Sequence, residues 1–242
     1  MTFSPIPRSS VADSVFDQIS AQVLDGRLAP GNDLPGERAL AEAFGVSRPV
    51  VREAIQKLSQ AGLVATRHGE GTRVLDYRKE AGPELLPALL AQDGGPDPKV
   101  IRSVAEVREV LGAEVAALAA RRAGPTIAEP LARSVEALGA EAGPVGKQRH
   151  ALAYWNTLVD GADSIAHRLI ANSLWRAYEP AMEALGFVLS AEVGATDAYA
   201  GLAEAVARGD EDEARARARA LLARGTAALA AVAAALEGGA SS

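Results

Sequence analysis

The feature that most restricts this chain lies between Ser47 and Gln60. Val51, Ala54, Ile55 and Leu58 recur at i, i+3, i+4 and i+7, with Val50 at the edge of the same arc. That spacing gives a helix one apolar face and gives a strand none. Ser47 stands just before the periodic run as an N-cap residue, and Pro49 falls in the first turn, where its missing N–H breaks no hydrogen bond. The opposite face carries Arg48, Arg52, Gln56 and Ser59. Two guanidinium forks one turn apart near a helix N-terminus have the donor geometry to grip phosphates or read guanine edges in a major groove. Taken alone, such a face is also what any solvated helix shows, and the neighbouring segments decide between the two readings.

Leu40 and Phe44 make the preceding segment a second amphipathic helix, and Gly45 stands where a helix stops in a left-handed conformation. Gly45-Val46-Ser47 then forms a short turn between two helices. After Gly62, residues 63–66 and 72–75 can pair as strands around Arg67-His68-Gly69-Glu70-Gly71, a basic tip bearing glycine. Upstream, Ser10 is placed to cap a helix in which Val11, Val15, Ile19 and Val23 recur every fourth residue until Gly26. Pro30-Gly31 and Leu34-Pro35 mark a connecting turn. Helix, helix-turn-helix and hairpin in this order read as a winged helix-turn-helix, with the tip at 67–71 as the wing.

The chain changes character beyond 76–83, where charges mix with glycine and proline. Domains are expected at 1–77 and 78–242. The second part is rich in alanine and leucine, with helical blocks at 84–92, 98–123, 126–140, 145–159, 164–189, 195–208 and 210–236, separated by glycine or proline and showing no strand alternation. The fold class is therefore mainly α: the winged unit followed by an all-α bundle of six to seven helices. The 242 residues carry a formal charge of −6, which argues against a general polyanion binder, yet from Arg38 to Arg73 six Lys or Arg face three acids. Contact with nucleic acid is expected to be local. The chain has no cysteine, hence no disulfide or thiolate ligand. No signal-peptide pattern is found, and no run approaches the ~20 apolar residues of a membrane span. The expectation is a cytoplasmic protein that makes no membrane contact. No nucleophile elbow, phosphate loop or paired-carboxylate constellation points to an enzyme.

The run LPGERALAEAFGVSRPVVREAIQKLSQAGLV followed by RHGEGTRV resembles the DNA-binding domain of the GntR family of bacterial transcription regulators, over residues 11–75. The resemblance implies DNA contacts from Arg38, Ser47, Arg48, Arg52, His68 and Gly69. Pro49 and Val50 fill the next two recognition-helix positions in this contact set. Some relatives carry threonine there, so the missing hydroxyls imply a different half-site preference. Val104-Ala105-Glu106-Val107-Arg108, Tyr154 to Ser164 and Ala200 to Ala214 resemble landmarks of the FadR branch, whose C-terminal helical domain binds an effector and forms much of a homodimer contact.

Many members of that branch hold a metal, but the matching positions here are Ala151, Trp155, Tyr199 and Leu221, so neither a metal nor another cofactor is expected. Six of the ten aromatic residues lie between 150 and 199, and Arg108, His150, Tyr154, Trp175, Tyr178 and Tyr199 are candidates to line an effector cavity. For the aromatics the competing reading is core packing. For Arg108 it is an ion pair with Glu106, Glu109 or a neighbouring helix. Residues 80–86 are similar to the fatty-acid-responsive regulators of the branch, which bind long-chain acyl-CoA without metal. The resemblance thus implies a homodimeric regulator of a palindromic operator in double-stranded DNA, with a fatty acyl-CoA effector. The alternatives are a small organic or sugar acid as effector, or a lipid- or metabolite-binding bundle whose winged domain serves protein contact.

Overall fold

Every fourth residue from Val15 points into one core: Val15, Ile19 and Val23 of α1 (Val11–Leu24) are all buried, whereas Val11, at the first position of the helix, is 57% exposed. The computed structural model describes residues 11–67, 71–91 and 95–239, so Ser10 and the wing-tip residues His68 and Gly69 lie outside the described residues. The helices α2 (Glu37–Phe44) and α3 (Arg48–Gln60) follow. Gly45 joins them at φ 66°, ψ 30°, the left-handed stop expected of it. Leu40 and Ala41 of α2 pack on Val51 and Ile55 of α3. Ala54 and Leu58 turn toward Val15, Ile19 and Val23 together with Leu63, Val64 and Val74. The four-residue stripe is thus shared between two neighbouring clusters.

The strands β1 (Val64–Arg67) and β2 (Gly71–Val74) pair antiparallel, Val64 opposite Val74 and Thr66 opposite Thr72. The far edge of β2 is also paired. Leu34 N–H donates to the Thr72 carbonyl at 2.7 Å and Val74 N–H to the Asn32 carbonyl at 2.8 Å, with Asp33 bridged to Arg73. The segment that reads as a turn therefore supplies a third rung; its flanking Pro30, Gly31 and Pro35 hide that pairing from sequence patterning.

Contact along the chain divides it at Gly95, not at residue 77: one unit is Met1–Gly95 and the other Pro96–Ser242. The short helices α4 (Tyr77–Glu80) and α5 (Leu86–Leu90) belong to the first unit because Leu85 is buried in its core, with Tyr77, Ala81, Ala88 and Leu89 packed against it. Gly62 permits this. Its φ is +70°, and a Cβ there would stand 2.7 Å from Ala81 Cα.

The second unit contains α6 (Pro98–Arg122), α7 (Ala128–Ala140), α8 (Pro144–Gly161), α9 (Ile165–Tyr178), α10 (Met182–Val188), α11 (Ser190–Val193), α12 (Thr196–Ala207) and α13 (Glu211–Gly239). Among its described residues there is no strand. Two expectations need correction. The block 84–92 lies in the first unit, and the block 164–189 is broken after Tyr178, where Pro180 cannot continue the hydrogen-bond ladder and a 3-10 turn intervenes.

The two longest helices, α6 and α13, run antiparallel, since Arg121 meets Glu211 at 3.2 Å, Glu114 meets Arg215 at 2.8 Å and Arg102 meets Glu237. At 29 residues and with a mean hydropathy of 1.5 over its most apolar 18-residue window, α13 has the length and composition to cross a membrane, contrary to the sequence expectation of no such run. Here Ala218, Leu221 and Leu222 instead join Val115, Ala119, Leu158 and Leu202 in the core of this unit. Tyr154 stands edge-on to Tyr199, with centroids 5.0 Å apart, and donates its hydroxyl proton to the Tyr199 carbonyl at 3.1 Å.

Candidate nucleic-acid interface and effector site

Burial of Val51, Ala54, Ile55 and Leu58 leaves the other face of α3 in solvent. Ser47, Arg48, Pro49 and Arg52 are exposed and Val50 is half-buried. Ser47 sits at the N-cap in extended conformation, but its hydroxyl makes no capping bond, so it remains available to a ligand. Arg52 is gripped in bidentate fashion by Glu37 of α2, Nε to Oε1 at 2.9 Å and Nη2 to Oε2 at 2.7 Å, and Arg48 reaches the same carboxylate at 3.5 Å. The Arg52 hydrogen bonds hold the Glu37 carboxyl below the usual carboxylate range. Arg38, one residue beyond Glu37, is exposed and stands 3.9 Å from Glu42. Four of the expected contact residues, Arg38, Ser47, Arg48 and Arg52, thus lie at the exposed start of two helices. Two arginines share one carboxylate, which sets the direction of both forks.

The second unit holds a different constellation. Arg108 of α6 pairs with Glu192 of α11, whose side chain is only 1% exposed against 22% for the arginine. Burial raises the Glu192 carboxyl above the usual range, and Arg108 opposes that rise. In this unit the buried Arg108 Nη1, Glu192 Oε2, Trp155 Nε1 and Tyr199 hydroxyl make no close hydrogen bond among the described residues, although the Trp155 indole lies beside the Tyr199 hydroxyl and the Gly225 N–H beside the Glu192 carboxyl. Tyr178 and Tyr199 act electrostatically on the pair, and burial pushes both phenols well up. Gly225 of α13 makes room, because a Cβ there would meet Glu192 Oε2 at 2.0 Å and Arg108 Nη1 at 2.9 Å. The structure brings together Arg108, Tyr178 and Tyr199 of the expected effector set, with Tyr154 packed on Tyr199. Trp175 is half-buried under Arg168, 5.3 Å from its ring centroid, and His150 is half-buried without a side-chain hydrogen bond or ion pair among the described residues. Phe187 is 75% exposed. The ion-pair reading of Arg108 is the one realised, with a partner on a neighbouring helix rather than Glu106 or Glu109.

The pattern described as "Bacterial regulatory proteins, gntR family" matches residues 11–74, and the FCD domain matches residues 103–224. The HTH-type transcriptional regulator Mce2R of Mycobacterium tuberculosis is 45% identical over 232 residues, covering 96% of this chain and 97% of its own. The chain belongs to the GntR family of bacterial transcription regulators. Its FCD domain and relatives put it on the FadR branch; one of them, a "Fatty acid metabolism regulator protein" of Edwardsiella ictaluri, is 32% identical over 108 residues, 45% of each chain. A solved structure of Lar, described as controlling the Listeria monocytogenes agr system, has a TM-score of 0.60 at 17% identity, covering 93% of this chain and 98% of that one, and so shares its fold.

This GntR-family regulator does not fit the metal seen in many of its branch. The four corresponding positions, Ala151, Trp155, Tyr199 and Leu221, are buried and form no ligand set, and among the described residues no three His, Cys, Asp or Glu side chains converge. Three functional candidates escaped the sequence reading. Glu37 lay just outside the stretch whose charges were weighed. Glu192 lies 84 positions from Arg108 in a four-residue helix with no periodicity. Gly225, inside an alanine-rich 29-residue helix, did carry a signal, because glycine there weakens the helix relative to alanine and calls for a packing reason.

Proposed function

We propose that this GntR-family regulator binds a palindromic operator as a cytoplasmic homodimer, with Arg48 and Arg52 of each subunit in a major groove and His68-Gly69 at the adjoining minor groove. The observation that carries this reading is the exposed edge of α3, where Ser47, Arg48 and Arg52 stand together with no apolar partner and with the forks aligned by Glu37. Phosphate or guanine edges replace that carboxylate when DNA arrives. Binding to duplex DNA should weaken linearly on a log–log salt plot, with a slope of about −0.9 per phosphate neutralised. A slope near zero would favour a winged domain used for protein contact.

The FCD domain of this regulator binds a small-molecule effector, and our reading of that effector is a fatty acyl compound, supported by the relatives named for fatty acid metabolism. A small organic or sugar acid is the second reading, favoured by Arg108. The effector changes operator affinity by binding two states of the protein unequally. A thermal-shift screen with acyl-CoAs, free fatty acids and small carboxylates tests this. A ligand of the folded state at a hundredfold excess over Kd adds about 2.7 kcal/mol of stability, and silence across the series would leave the bundle a dimerisation domain.

A further inference from the structure

We propose that Glu37 is itself a base-reading residue: once Arg48 and Arg52 turn to the DNA, its carboxylate accepts a hydrogen bond from the amino group of a cytosine in the base pair beside the guanine that Arg52 reads. The inference rests on the DNA-binding reading above and adds to it a specificity-determining residue outside the recognition helix. Glu37 is the first residue of α2, and both of its oxygens are taken by α3. Oε1 accepts from Arg52 Nε at 2.9 Å, and Oε2 accepts from Arg52 Nη2 at 2.7 Å and from Arg48 Nη2 at 3.5 Å. The carboxylate therefore sits between the two side chains that form the reading edge. It is less exposed than either, 29% against 61% for Arg48 and 65% for Arg52.

Base edges or phosphates that recruit both arginines take away the side chains that hold this carboxylate. A glutamate is ionised at neutral pH with or without them. A half-covered anion left against a polyanion is costly unless it finds a donor. The other two acids of these helices are placed differently. Glu42 is 70% exposed and keeps its water when Arg38 leaves it, and Glu53 keeps Lys57 at 3.0 Å. Glu37 has neither recourse.

In the major groove donors are few. Guanine presents two acceptors and thymine an acceptor and a methyl group, so the amino groups of cytosine and adenine are the only donors. A carboxylate has acceptors alone and suits cytosine N4. Adenine sets its amino group beside the N7 acceptor, which suits an amide that can also donate. The distances to Arg52 fix the neighbourhood, because successive base pairs are stacked about 3.4 Å apart. In the pair that Arg52 reads, the cytosine is dictated by its guanine, so a preference of Glu37's own shows one pair away.

The experiment is selection from a random duplex pool by the full chain, run in parallel for the wild-type protein, Arg52→Ala, Glu37→Gln and Glu37→Ala. Loss of definition in Arg52→Ala marks the guanine. The expected wild-type half-site has cytosine in the pair beside it, favoured roughly tenfold over the other bases. Glu37→Gln should exchange that cytosine for adenine, whose N6 and N7 match the amide. Glu37→Ala should leave the position without preference while the guanine, less sharply defined, persists. A new base preference in the glutamine variant is a gain that loss of folding does not imitate. A glutamate that only aligns the arginines gives a different pattern: both variants blur the guanine alone and leave its neighbour as it was. That pattern, or an unchanged half-site in both variants, overturns the inference while DNA reading stands. Enrichment of no sequence by the wild-type protein overturns the inference and the DNA-binding reading together.

Discussion

Arg52 with Glu37 and Arg108 with Glu192 are the same pair of side chains in opposite surroundings. The first lies at the surface, its side chains 65% and 29% exposed; the second lies among packed helices, at 22% and 1%. Water stabilises the separated charges of the first nearly as well as their partner does, so such a pair is easily exchanged for a phosphate or a base edge. Separating the second leaves an ion in a medium that cannot solvate it, so the pair is costly to break. Exposure, not chemistry, separates a pair that is cheaply exchanged from one that is held by the packing around it.

The largest expected effect comes from breaking the dry pair. Arg108→Ala strands Glu192 and should cost about 3 kcal/mol in denaturant unfolding, the low end for a buried pair because the arginine keeps some exposure. Glu192→Gln should cost much less and should also remove a pH dependence. The folded state holds the Glu192 proton at a pH where the unfolded chain has lost it. Wild-type stability therefore falls as pH rises from the ordinary glutamate range through the raised value, and the glutamine variant lacks that fall.

Next in size, Gly225→Ala should destabilise by about 2 kcal/mol despite better helix propensity, because its methyl would stand 2.0 Å from Glu192 Oε2. Thermal unfolding checks the sign. An increase in stability would show that the cluster has slack. At the wet pair, Arg52→Ala should weaken operator binding by roughly tenfold to a hundredfold at constant salt, with relaxed preference at one base pair if the arginine reads a base. The smallest effect is expected from Glu37→Gln. Affinity for unrelated duplex should rise a few-fold while the preference for operator narrows, as read by competition binding, because the forks lose the carboxylate that aligns them.

The contrast also explains what could be read from the chain. The recognition helix, its buried stripe and the turn at Gly45 were legible because each depends on residues within one or two helical turns. Arg48, Arg52 and Ser47 followed from the same wheel. The buried cluster assembles Arg108, Trp155, Glu192, Tyr199 and Gly225 from five helices. No periodicity links them, and the sequence reading found Arg108 and Tyr199 while choosing Trp175 and His150 over Trp155 and Glu192. Similarly, residues 80–90 carry no mark of the core they join, since their docking depends on the close approach of Ala81 to Gly62.

The most direct test of the account is selection of duplexes from a random pool by the full chain, with Arg52→Ala selected in parallel. The account predicts that the wild-type protein enriches two inverted half-sites about one helical turn apart, and that Arg52→Ala keeps the spacing but loses definition within each half-site. Enrichment of no sequence by the wild-type protein, or the same half-site from both proteins, would contradict it.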